Sequence, residues 1–218
     1  MKHPVIDDLN WRYTCKKYDP TRKIPQAELD VLFEAMRLSA SSINSQPWKF
    51  ILLESDVAKQ RMYNTFANMH QYNQQHVFDS SHFILFAHNP RYTRDNFSKV
   101  VDRYIEDGRV KPEDRDKAFN SCRFIDLNTD DSGNNAAWTM AQTYLALGNV
   151  LHTLARLKID STPIEGIDEV RVNREFAREL DGYYCHVALA IGYHHPTEDF
   201  NKNLPKSRLR LEEILLCI

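Results

Sequence analysis

The sequence predicts one α+β domain over residues 1–218, on three observations. Hydrophobic residues make up 42% of the chain and charged residues 27%, the balance of a chain that can bury a single core. Several long stretches repeat apolar residues at three- and four-residue spacing, the period of helices. Short apolar runs rich in branched and aromatic residues separate them and read as three or four strands. No repeat, low-complexity segment or linker divides the chain.

In order, residues 25–39 form an amphipathic helix with Pro25 in its first turn and Leu29, Leu32, Phe33 and Met36 on one face. Residues 49–53 (KFILL) form a strand, followed by a helix that Ser55 caps. Residues 82–87 (HFILFA) form a second, buried strand. Residues 96–107 and 112–127 are polar, charge-rich helical segments on either side of Gly108 and belong at the surface. The strongest helical signal runs over residues 133–157, through Ala137, Met140, Tyr144, Leu147, Leu151 and Leu154. A helix apolar over so much of its circumference is buried on several sides, in a core or a dimer interface, and Gly148 on its small-residue stripe is expected to permit close helix packing. Residues 168–180 read as one more helix and residues 183–193 as a long central strand. The end, LEEILLCI, is apolar and is expected to dock, on a partner subunit for instance.

Several function classes are excluded. Lys and Arg number 28 against 30 Asp and Glu, so no global field draws nucleic acid or a membrane surface. The six glycines all lie at or after Gly108 and are never clustered, which rules out the glycine-rich loops that cradle phosphates with backbone N–H groups. Charged side chains must do most of the work of holding any phosphate here. Two basic groups are available: Arg12, Lys16 and Lys17 near one end, and Lys202, Lys206, Arg208 and Arg210 near the other. Cys15, Cys122, Cys185 and Cys217 are far apart and suggest neither zinc nor disulfides. His194 and His195 are adjacent, so a strand would point them to opposite faces, and no metal site is expected. Cys15 beside Lys16 and Lys17 is either a packing residue or a thiol made reactive by those cations. The N-terminal MKHPVIDDLNWRY lacks an apolar signal region and no apolar run could span a bilayer, so a cytoplasmic location is expected.

Two segments stand out without resolving themselves. SASSINSQ (39–46) is polar and uncharged between an apolar helix and a strand, as a capped turn or the wall of a site would be. PIEG (163–166) is either a surface turn or a place where Gly166 allows close approach.

Together with RYTCKKYD (12–19), YNQQH (72–76), AQTYLALGN (141–149) and LPKSR (204–208), these segments stand in the order and spacing of the FMN-dependent nitroreductase and flavin reductase family, which the chain resembles over essentially its whole length. The resemblance implies a nitroreductase-like fold, a central mixed or antiparallel sheet surrounded by helices, in an interlocked homodimer with FMN at the subunit interface. By matching positions, it implies that Arg12, Thr14, Lys206 and Arg208 grip the phosphate, that Tyr13 and His76 are cofactor-binding, and that Lys16 lies at the flavin pyrimidine edge, where a cation favours reduction. Asn73 would hydrogen-bond the ring, and Pro163, Ile164, Glu165 and Gly166 would cover one face, with Gly166 sparing the ring a side chain. His76 departs from the lysine of the enteric enzymes. From the other subunit would come Ala40, Ser41, Ser42, Asn44 and Gln142. Tyr72 and Phe124 would meet the substrate.

The implied reaction is ping-pong: NADH or NADPH reduces the flavin, leaves, and an acceptor such as free FMN, riboflavin, a quinone or a nitroaromatic takes its place. No side chain is assigned as a catalytic acid or base, because the cofactor carries the redox chemistry. A reduced flavin released by such an enzyme would serve a luciferase or monooxygenase. Two other readings share the motifs, a flavin-binding protein without turnover and a related flavin-dependent dehalogenase or reductase.

Overall fold

The computed structural model describes residues 2–218. Its four strands, β1 (Trp48–Leu53), β2 (His82–His88), β3 (Asp160–Ile164) and β4 (Tyr184–Gly192), form one antiparallel sheet in the order β1-β2-β4-β3. The helices are α1 (Pro4–Trp11), α2 (Gln26–Arg37), α3 (Asp56–Thr65), α4 (Gln75–Asp79), α5 (Arg94–Glu106), α6 (Arg115–Phe119), α7 (Arg123–Leu127), α8 (Ala136–Arg156), α9 (Glu169–Glu175), α10 (Ala177–Leu180) and α11 (Leu211–Ile214).

All of β2 is buried, because its alternating side chains feed two cores. Phe83, Leu85 and Ala87 join Met62 of α3, Val172 of α9, Cys15 and Tyr18. Ile84 and Phe86 join Leu29, Leu32 and Met36 of α2 and Leu147, Val150 and Leu154 of α8. Helices cover both faces of the sheet, which is why HFILFA is a continuous apolar run rather than an alternating one.

The sequence-derived elements stand with informative differences. Ser55 caps α3, its Oγ accepting from Ala58 N at 3.2 Å. Residues 168–180 are not one helix: the chain breaks at Phe176, whose ring is buried in the first core. The N-terminal helix α1 carries too weak a pattern to be read from sequence. It is anchored by buried Asp8, which pairs with Arg156 at 3.3 Å and Lys158 at 2.9 Å. Strand β3 is concealed by Pro163, which an edge strand tolerates. The outer side of β3 meets the N-terminal segment instead, where Cys15 N donates to Ser161 O at 3.3 Å. Gly148 does not serve close packing within the chain, since a Cβ there would meet nothing within 4 Å. Residues 202–218, the apolar end included, are exposed throughout. Among the described residues, no helix is long and apolar enough to cross a membrane.

Candidate functional site

Arg12 of the first basic group meets Lys202, Lys206 and Arg208 of the second, nearly two hundred residues away in sequence, while Lys16, Lys17 and Arg210 lie outside that meeting point. Arg12, Tyr13, Thr14, Lys206 and Arg208 line a cleft of about 310 Å³ whose wall includes Trp11 and Asn201 but no acidic residue. Lys206 Nζ donates to Arg12 O and ties the ends together. Among the described residues none of Arg12, Lys206 and Arg208 forms an ion pair. Burial, then the charge of Arg208, lowers the Arg12 pKa, and burial followed by Arg12 and Arg208 lowers that of Lys206. Cations that repel one another without a carboxylate between them are matched to an anion of more than one charge.

Asn73, in the turn before α4, donates from Nδ2 to Gly166 O at 3.1 Å and so joins YNQQH to PIEG. A Cβ on Gly166 would lie 2.6 Å from that Nδ2. A side chain at Gly166 would therefore crowd an amide of this chain. Glu165 is exposed, and its carboxylate accepts from Tyr144 Oη on α8. Lys16 is exposed, while His76 is buried with its ring edge-on to Tyr18 at 5.9 Å. Burial, then the charge of Lys16, lowers the His76 pKa, so the imidazole is neutral at pH 7 and does not replace a lysine's fixed charge.

The second set of residues gathers at the start of α8. Ser42 N donates to Gln142 Oε1 at 2.8 Å, and Gln142 Nε2 donates to Trp138 O at 3.0 Å. Ile43, Asn44 and Gln46 all have positive φ, and for branched Ile43 this costs about 1–2 kcal/mol. The bend is held by Ser41 Oγ, which accepts from Gln46 N at 3.0 Å, and by Tyr92 Oη donating to Ser45 O at 2.7 Å. Ala40 and Asn44 are exposed beside it. Phe124 packs edge-on against Trp138 at 6.0 Å, and Tyr72 is 91% exposed. Neither aromatic touches the cationic cleft, which its own lining defines.

Cys15 is a packing residue: it is fully buried, and burial pushes its thiol pKa far up despite Lys16 and Lys17. His194 pairs through Nδ1 with Asp160 at 2.8 Å while His195 turns toward Glu198 at 3.6 Å, so the two imidazoles part as expected. Sequence reasoning missed Asp199 and Asn201, and it gave Tyr144 a place in the helix but no contact with Glu165. Their side chains contact motif residues across the fold, a relation no local spacing records.

Fold and cleft define an α+β protein that gathers cations from both ends of its chain around an anion-ready cleft. The chain belongs to the nitroreductase family, whose model matches residues 9–193. It is 59% identical over 218 residues, all of both chains, to the major NAD(P)H-flavin oxidoreductase of Aliivibrio fischeri. It is 34% identical over 206 residues, 94% of each chain, to an oxygen-insensitive NAD(P)H nitroreductase of Salmonella typhimurium. Among solved structures, a protein from Exiguobacterium sibiricum described as a putative nitroreductase in complex with FMN superposes with a TM-score of 0.83 at 22% identity, over 100% of this chain and 99% of that one.

Proposed function

We propose that this protein is an NAD(P)H-dependent oxidoreductase that uses FMN to reduce free flavins, quinones and nitroaromatics, and that it works as a homodimer. The full-length 59% identity to an NAD(P)H-flavin oxidoreductase carries the reading. The cleft fits the cofactor's phosphate, because four cations without an ion pair among the described residues, Arg12, Lys202, Lys206 and Arg208, and no acid line it, a setting that favours a dianion.

Arg12, Lys206 and Arg208, with the Thr14 hydroxyl, would hold that phosphate. Lys16 would place a cation at the pyrimidine edge, and Asn73 with the Pro163, Ile164, Glu165 and Gly166 segment would fix the ring on one side. Ala40, Ser41, Ser42, Asn44 and Gln142 would come from the second copy, and Tyr72 and Phe124 would flank the donor and acceptor. When bound, FMN supplies two-electron transfer between pyridine nucleotide and acceptor. The protein then positions both reactants in turn, excludes water and needs no acid–base dyad. The exposed apolar residues Leu145 on α8 and Ile214, Leu216 and Ile218 at the end support a partner copy. A cytoplasmic luciferase or monooxygenase would use the reduced flavin.

The test is spectroscopic. The purified protein should be yellow, release FMN on denaturation, and bleach anaerobically with NADH or NADPH. Protein that neither carries FMN nor takes it up refutes the reading, and bound FMN that NAD(P)H leaves oxidised makes this a binding protein.

A further inference from the structure

Asp199 is the last buried residue of the chain, at 6% exposure, and everything from residue 202 onward is exposed. Its carboxylate is engaged entirely with the N-terminal motif and its own loop. Oδ2 accepts from Tyr13 Oη at 2.7 Å; Oδ1 accepts from Lys16 N at 3.1 Å and from Asn201 N at 3.3 Å. Two residues on, Asn201 Nδ2 donates to Thr14 O at 2.8 Å. These bonds fasten residues 199–201 to residues 13–16 immediately before the chain enters the exposed stretch that carries Lys206 and Arg208.

We infer that Asp199, assisted by Asn201, is a positioning residue that sets Lys206 and Arg208 against Arg12 and so confers selectivity for a phosphorylated flavin. The inference rests on the phosphate reading of the cleft. An acid bonded to Tyr13, the chain neighbour of Arg12, would ordinarily oppose an anionic ligand. Here its lone pairs are spent on a phenol and two backbone amides, and it does not line the cleft. Burial, then the hydrogen bond to Asp199, raises the pKa of the Tyr13 phenol, which keeps it a donor. The exposed tail has little else to place it: α11 is exposed along its length, and the contact of Lys206 with Arg12 O is at the surface. Without the staple, the second set of cations would be held beyond His195, which donates to Lys17 O at 2.8 Å, only by the surface contact of Lys206 with Arg12 O, and holding them on a phosphate would carry the ordering entropy of the loop.

The experiment titrates apoprotein with FMN and with riboflavin, following flavin fluorescence, alongside thermal unfolding. Wild-type protein should prefer FMN. Asp199→Ala should lose about tenfold in FMN affinity, as expected when buried bonds to a charged group are removed, while riboflavin affinity changes by less than about twofold. Asp199→Asn, which can still accept from Lys16 N, should recover part of the preference. Asn201→Ala removes one bond at a less buried position, should shift the preference the same way, and decides the matter if Asp199→Ala does not fold. Parallel loss for both flavins, or an unchanged preference, overturns the inference and leaves Asp199 a residue of the fold. Wild-type apoprotein that binds FMN and riboflavin equally overturns the phosphate reading itself, a result visible before any variant is made.

Discussion

Replacing Gly166 by alanine brings a methyl group to 2.6 Å from Asn73 Nδ2, a separation real Cβ atoms do not tolerate. The backbone of Gly166 lies outside the left-handed region, so alanine is conformationally allowed and gains about 0.4–1 kcal/mol by restricting the unfolded chain. Against this, the Asn73 amide must swing away and forfeit its 3.1 Å bond to Gly166 O, at about 0.5–1.5 kcal/mol. The two terms nearly cancel, and Gly166→Ala should change stability by less than about 1 kcal/mol. The diagnostic quantity is the coupling with Asn73→Ala. Once the amide is gone, the methyl meets nothing and the bond is already lost, so the double variant should be more stable than additivity allows by about 1 kcal/mol. Urea unfolding of wild type, both single variants and the double variant measures this. Additivity within about 0.3 kcal/mol would show that Asn73 and Gly166 do not meet as described and refute the reasoning.

Arg208→Ala should weaken FMN binding by about tenfold, at the low end for a charge-assisted bond because the residue is exposed, with the loss shrinking in high salt; an unchanged affinity by fluorescence titration contradicts the cleft assignment. Buried Lys59 donates to Ser80 O and Ser81 O, each at 2.9 Å, and burial pulls its pKa from 10.5 to about 8. Between those values the folded state binds fewer protons than the unfolded chain, so Lys59 makes stability rise with pH across that window. Urea midpoints from pH 8 to 10.5 should rise less steeply in Lys59→Met, and identical slopes count against the claim. His88, buried and bonded to Thr139 Oγ1 at 2.9 Å, is held down to about 4 by burial and then by His186, so it should cost stability as pH falls from 6.5 toward 4. The acid decline should be shallower in His88→Gln, measured by thermal unfolding across that range. Deleting residues 211–218 should weaken self-association, seen as a lower apparent mass in light scattering at micromolar concentration; a dimer of unaltered affinity places the interface elsewhere.

The sequence by itself determined the fold class, most helices, three of the four strands and the segments of the candidate site. These are written in local periods: 3.6 residues along α2 and α8, and short apolar runs for β2 and β4. It also excluded glycine-rich phosphate loops, since its six glycines are never clustered. Strand β3 escaped because Pro163 is penalised locally, and its place at the sheet edge is a tertiary fact. Only the tertiary structure decided which distant residues meet. Strand β4, the last in sequence, inserts between β2 and β3, and the chain that follows it returns to the N-terminal segment. That return brings Lys206 and Arg208 to Arg12, sets Asp199 on Tyr13 and Lys16, and follows the same antiparallel sheet that sets PIEG at the end of β3 near Asn73. Contacts between residues more than ninety positions apart leave no periodic trace in a single chain. They arise from the packing that buries both faces of β2 between two cores, and the cleft lies where the segment after β4 meets the N-terminal segment.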